Sequence, residues 1–312
     1  MSGTPFPIDP TLTGVAIAHK NAAMVADRVL PFATAPISKQ EFKWFKFDIA
    51  EATKLDGDGR VGRKGQPEEV EYGMTQDTAS TEDFGYDDPV PSDDITNAPP
   101  GFDPLAFATQ KLADRLLLLR EKRVAALVFN AATYPTANKT TLSGSSQWSD
   151  PLSDPSLAIS DAMDSMITRP NCMLIGRAGW SKLRRHPKLI SATSISGTDQ
   201  GALTIAQAQE ALEIPEIIVG EGWIDSARRG QAASRVRVWG KHALLFYRAP
   251  SIAPNGEVMT FGWTQSYLGR VAGQIPDPKI GLRGGIRVRV GHSVKELISA
   301  PDAGFFFQNI VA

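Results

Sequence analysis

Between Gly65 and Gln110 the chain carries eleven acidic residues and no Lys or Arg. They are Glu68, Glu69, Glu71, Asp77, Glu82, Asp83, Asp87, Asp88, Asp93, Asp94 and Asp103. The net charge of the 312-residue chain is still only −1, so the compensating cations lie elsewhere. A block of like charge repels itself and often serves as an interaction arm. This one is threaded with Val70, Tyr72, Met74, Phe84, Tyr86 and Val90, which argues for an ordered segment rather than an acidic tail. An ordered acidic arm and basic surfaces in one chain imply that one copy docks on another. A solvated face and a different basic partner are the other readings.

The bulk numbers narrow the class. Hydrophobic content of 42% and charged content of 21% are ordinary for a folded soluble protein. A pI near 6.4 argues against general nucleic-acid coating. Cys172 is the one cysteine, so no intrachain disulfide forms, and a reducing cytoplasm is expected. No basic and apolar leader opens the chain, and no run approaches the roughly 18 apolar residues that span a bilayer.

The first forty residues are rich in Pro and small residues and form an extended arm that must lie on something else. Phe42-Lys43-Trp44-Phe45-Lys46-Phe47-Asp48-Ile49 alternates as a strand with a one-residue slip, which predicts a bulge. A glycine-rich tip follows at 54–67, then a returning extended segment at 68–91. Together they predict one long hairpin, and isolated hairpins need a neighbour to lie on. Asp103 and Pro104 suit the cap and first turn of a helix. That helix is expected to reach about Ala132, roughly 45 Å long, with an apolar stripe on one side and Lys111, Arg115, Arg120, Lys122 and Arg123 on its other faces.

Shorter elements follow: helices at 157–167, through Trp180 to Ile190, and at 202–212; strands at 172–175, 216–219, 235–239 and 243–247. The span 171–258 therefore resembles a small α/β layer of its own. Ile286, Val288 and Val290 share one strand face, and Arg287 and Arg289 share the other. Those arginines are either a docking strip for the acidic arm of another copy or a solvated face. Phe305 to Val311 is a final buried strand.

Catalytic patterns fail. Gly57-x-Gly59-x-x-Gly62 fits a dinucleotide fingerprint, but its flanks are charged and Pro67 follows, against the strand and helix that the fingerprint needs. Asp56 and Asp58 start like a calcium loop, but Arg60 takes the third ligand position. His19, His186, His242 and His292 have no ligand spacing to one another or to Cys172. No catalytic residue, metal or cofactor is expected.

Several stretches carry a resemblance: Ala26 to Pro31, Val61-Gly-Arg-Lys-Gly-Gln-Pro67, Val124 to Tyr134, Thr140 to Trp148, Gly281-Leu-Arg-Gly-Gly-Ile-Arg-Val-Arg-Val290, and Phe305 to Val311. Combined with the order of elements, they resemble the major capsid proteins of tailed bacteriophages, including Mu-like ones, with the Hong Kong 97-type shell fold. The likeness covers the chain from Ala26 to its end. It implies an α+β fold with an N-arm at 1–40, an E-loop at 41–98, a P-domain at 99–170 and 259–312 with a long spine helix, and an A-domain at 171–258.

It further implies self-assembly into hexamers and pentamers of an icosahedral shell around double-stranded DNA, without sequence-specific binding or a membrane. The site would be a virion capsid built in the host cytoplasm. A separate scaffolding protein, a portal and decoration proteins are the implied partners; a cargo-compartment shell of the same fold (an encapsulin) is the first alternative, and a nucleotide-binding enzyme using Gly57, Gly59 and Gly62 is the remote second. The intersubunit residues would be Lys54, Asp56, Asp58, Arg60, Arg63, Lys64, Glu82, Asp83, Asp87 and Asp88 on the E-loop, with Arg283, Arg287 and Arg289 on the P-domain. Some members cross-link an E-loop Lys to a P-domain Asn. Lys54, Lys64 and Asn309 are present, but no partnering Glu is identified, so no cross-link is expected.

Overall fold

The computed structural model describes residues 7–19, 21, 23–47, 60–66, 74–193, 201–228, 230–253 and 258–312. In chain order the helices are α1 (Pro10–Ala18), α2 (Ala26–Val29), α3 (Ser92–Thr96), α4 (Pro104–Val128), α5 (Pro155–Ser165), α6 (Arg177–Leu183), α7 (Pro187–Thr193) and α8 (Ile205–Leu212). The strands are β1 (Glu41–Phe47), β2 (Met74–Ser80), β3 (Glu82–Pro91), β4 (Lys139–Thr141), β5 (Cys172–Gly176), β6 (Glu216–Gly220), β7 (Trp223–Asp225), β8 (Arg235–Arg237), β9 (Ala243–Phe246), β10 (Gly262–Asp277), β11 (Gly285–Ile298) and β12 (Gly304–Gln308).

Helix α4 is the axis of the molecule. The Asp103 carboxylate accepts from the N–H groups of Leu105 and Ala106, and Pro104 occupies the first turn. The helix stops at Val128, short of the expected Ala132, because its last carbonyls are claimed from outside. The Tyr134 hydroxyl donates to Val128 O at 2.7 Å and Thr133 Oγ1 donates to Leu127 O at 3.0 Å. Tyr134 is itself stacked on Phe261 and Phe306, so the chain must leave the helical path to seat it.

The expected single hairpin divides. β1 pairs with β2 in antiparallel register, from Glu41 opposite Ser80 to Phe47 opposite Met74. After Thr81 the chain changes sheets, and β3 joins the edge of the β10–β11 ribbon. No bulge interrupts β1. Its apolar residues lie on both faces because each face meets protein: Trp44 packs with Trp263 and Leu297, and Phe47 packs against the core under β9 and β12. Residues 48–59 and 67–73 lie outside the described residues.

In the β10–β11–β3 sheet, Val288 and Val290 point inward with Ala272 and meet Leu12, Ala16, Ala108, Leu112 and Leu116 of α1 and α4. The inward alternation expected at 286–290 is present. The described part of the N-terminal arm lies on its own chain: α1 packs on α4 and β10, and Val29 and Leu30 are fully buried.

The second sheet runs β4–β12–β9–β5–β6. Strands from within 171–258 are hydrogen-bonded to β12 and, through it, to β4, so the α/β layer shares one sheet with the rest of the chain. Both faces are covered, which is why the strands are continuous apolar runs. Phe305 and Phe307 face Trp148 and Ile310, while Phe306 faces Val128 and Phe261. The expected helix through 180–190 is two, α6 and α7. β7 and β8 form a separate ribbon in which Val236 is exposed.

Candidate assembly interface

The acidic segment meets its cations within the same chain. Because β3 and β11 are antiparallel, Asp87 lies opposite Arg289 and Asp83 opposite Ser293. Arg289 holds Asp87 by two bonds of 2.7 Å, Lys295 reaches Glu82 at 2.6 Å, and the Ser293 hydroxyl donates to Asp83. On the other edge of β11, Arg287 bonds Asp277 of β10 at 2.7 Å, and beyond the strand Arg283 bonds Asp93 at 2.8 Å. The Arg289 hydrogen bond holds the Asp87 carboxyl below its usual range, and the Lys295 bond does the same for Glu82. The Arg287 bond acts likewise on Asp277. Cations expected to receive the arm of another copy are thus engaged internally, a pairing that strand register produces and composition conceals.

Adjacent acids part company. Asp87 is on the outer face with Arg289, whereas Asp88 lies opposite Val288 on the inner side and has no ion pair among the described residues. Lys54, Asp56 and Asp58 lie outside the described residues. Arg60, Arg63 and Lys64 sit on an exposed loop tip, where the Gly65 N–H donates to Gly62 O at 2.8 Å. Residues 60–66 form a turn, and Gly57 and Gly59 of the glycine fingerprint lie outside the described residues.

A second charged site escaped the sequence reading. Arg120, expected on an outer face, is 1% exposed. It donates to Leu30 O at 2.8 Å and Thr264 Oγ1 at 3.0 Å, pairs with Asp27, and stacks on Phe32. Burial lowers its pKa to about 10. Its neighbour Glu121 accepts from Val25 N–H at 3.0 Å and Ala26 N–H at 2.7 Å, and from the Trp239 indole N–H. Burial raises the Glu121 carboxyl, and these donors oppose that rise. Arg123 holds Glu296 at 2.8 Å and stacks on Phe84.

Arg120 and Glu121 bind the arm at 25–32 to the middle of α4, while Arg123 ties the same helix to β3 and β11. The available signal was Arg120-Glu121 within a helix whose surrounding apolar positions already demanded burial on more than one face.

Among the described residues no three His, Cys, Asp or Glu side chains converge as metal ligands. Burial pushes the Cys172 thiol up to about 12, away from nucleophilic use. Among the described residues no helix is long and apolar enough to cross a membrane. What the chain offers is a set of extended ribbons and loops carried on a three-stranded and a five-stranded sheet.

That architecture has counterparts. A phage-related protein from Bordetella bronchiseptica RB50 superposes with a TM-score of 0.77 at 23% identity, over 98% of this chain and 99% of that one. A putative capsid protein of an Escherichia coli CFT073 prophage superposes with a TM-score of 0.59 at 12% identity, over 98% and 99%. The fold is the Hong Kong 97-like capsid fold. No family model matches the chain. The major capsid protein of Pseudomonas phage JBD67 is 51% identical over 312 residues, covering the whole of both chains. This chain belongs to the phage major capsid proteins.

Proposed function

We propose that copies of this chain assemble as hexamers and pentamers into an icosahedral shell enclosing phage double-stranded DNA. The observation that carries this is the full-length 51% identity to a phage major capsid protein. It also favours the phage shell over a cargo compartment of the same fold. The role is structural and rests on contacts rather than on a reaction. The N-arm would be 1–40, the E-loop 41–98, the P-domain 99–170 with 259–312, and the A-domain 171–258.

In this reading the loop between β1 and β2 reaches a neighbouring subunit, with Lys54, Asp56, Asp58, Arg60, Arg63 and Lys64 near its tip. The internal pairs of Glu82, Asp83 and Asp87 support a narrower role for β3 as a rigid root that aims the loop. Arg283, Arg287 and Arg289 would meet neighbours only with the valence their internal pairs leave. A separate scaffolding protein, a portal and decoration proteins complete the particle, which is built in the host cytoplasm. The near-neutral net charge supports enclosure of DNA without strong or sequence-specific binding.

The test is electron microscopy of the protein expressed with and without its neighbouring scaffold gene. Round shells, or rings of five or six, are expected. Monodisperse monomers under both conditions would overturn the proposal.

A further inference from the structure

The β10–β11 connection carries two apolar residues with opposite fates. Ile280 is buried beneath the turn, while Leu282 is 97% exposed. Gly281 lies between them with φ +59°, a conformation that reverses the chain at little cost only for glycine. The turn is tied down: the Lys279 N–H donates to Asp277 Oδ1 at 2.9 Å, Arg283 bonds Asp93, and the Ser92 N–H donates to Gly284 O at 3.0 Å. The fold therefore holds one leucine outward on a fixed tip. Beside it Lys279 is exposed, and its charge acts at a distance on Asp277 without a close ion pair among the described residues.

Next to this tip, on α3 and the start of α4, runs a groove of about 450 Å³. Pro91, Pro104, Phe102 and Phe107 give it apolar walls, and Asp88 and Asp94 stand at its edge. Phe102 and Phe107 pack at 5.4 Å and stay 47% and 43% exposed. Lys111 stacks on Phe107 and forms no ion pair among the described residues. Neither Asp88 nor Asp94 has an ion pair among the described residues, although Glu82, Asp87 and Asp93 of the same block do.

We infer that Leu282 of one copy seats in this groove of a second copy, against the Phe102–Phe107 pair, with Lys279 facing Asp94. This rests on the shell reading, and it names a contact that the reading leaves unassigned. A basic, apolar knob and an acidic, apolar groove are complementary in both respects, and such charge matching sets register and excludes wrong partners. Tip and groove lie side by side on one end of the molecule, and Leu282 does not fill the groove of its own chain. Each copy gives a knob and receives one, and where the contact repeats head to tail it closes into a ring when the rotation between copies permits.

Charge exchange tests it. Lys279→Glu and Asp94→Lys should each lower shell yield at least tenfold, and the double variant should recover most of it. Leu282→Asp should lose shells while keeping the circular dichroism of the folded subunit. A Leu282→Cys/Asn97→Cys variant in assembled particles should give intermolecular disulfides on oxidation, a readout that needs no loss of assembly.

Wild-type yield from the single variants, failure of the double to recover, or absence of the disulfide would overturn the inference while wild-type shells keep the shell reading intact. If Arg63→Glu/Lys64→Glu is the variant that Asp94→Lys rescues, the groove receives the loop tip and the Leu282 assignment falls. No shells or rings from the wild type would remove the shell reading and this contact together.

Discussion

Two charged regions of this protein use the same residue types to opposite ends. Along β3 and β11 the pairs stand at the surface: Arg289 is 40% exposed and Asp87 25%. On α4 the charges of Arg120 and Glu121 are fully enclosed. Exposed pairs contribute between zero and about 1 kcal/mol each, because water already solvates both partners. Removing one partner of a buried, hydrogen-bonded set typically costs about 3–5 kcal/mol, because the survivor is left charged and unsolvated. The ladder can therefore be rearranged cheaply during assembly. The cluster holds the N-terminal arm on its own subunit, and so defines what is rigid.

The largest effect expected from breaking this contrast is at Glu121. Glu121→Ala should destabilise the subunit by about 3–5 kcal/mol in denaturant unfolding, and hydrogen exchange should show protection lost first at 25–30. Loss below about 1 kcal/mol would place the anchor in the same class as the ladder. Phe306→Ala tests the shared sheet independently. Phe306 is fully buried beneath Tyr134 and Phe129, so a cost of about 3–5 kcal/mol is expected by thermal and denaturant unfolding.

Acid separates the two regions by sign. Asp87, Glu82 and Asp277 have lowered pKa values in the folded chain, so their stabilisation is complete above the ordinary carboxylate range and is lost as pH falls through their folded values. Glu121 is raised, so its contribution is complete below the ordinary Glu range, about 4.3, and declines as pH rises through its folded value. Carboxyl titration by NMR should find Asp87 below and Glu121 above their ordinary values. Acidification below about pH 4 should loosen the β3 edge before the arm at 25–32. The reverse order would break the comparison.

The smallest effect sharpens it. Asp87→Asn should cost less than about 1 kcal/mol in subunit stability. Exchanging the pair as Asp87→Arg/Arg289→Asp should leave shell assembly near wild type by electron microscopy if the ladder serves only its own chain. Normal folding without assembly would assign these two residues a neighbour as well.

Much of the fold was legible because local rules dominate it. The Asp103–Pro104 start of α4, the apolar strands at 172–175 and 243–247, and the two-faced strand at 286–290 follow from capping and periodicity. The missed features depend on distant partners. The helix ends early because Tyr134 claims its last carbonyl. The hairpin splits because β11 offers β3 an edge. The apparent slip in β1 is two faces meeting two different cores.

For the candidate interface, the sequence could count the acids of 65–110 and the arginines of 283–289, and it could name the family through its motifs. Count and charge are properties of composition. Which acid meets which cation depends on register, and a shift of one residue exchanges the faces of a strand, so Asp87 and Asp88 differ although they are neighbours in the chain. Burial of Arg120 and Glu121 was decided only when the arm, α4 and Trp239 closed on one another. An ion pair at the surface and one in the core have the same letters, and only the surrounding packing sets the dielectric in which they act.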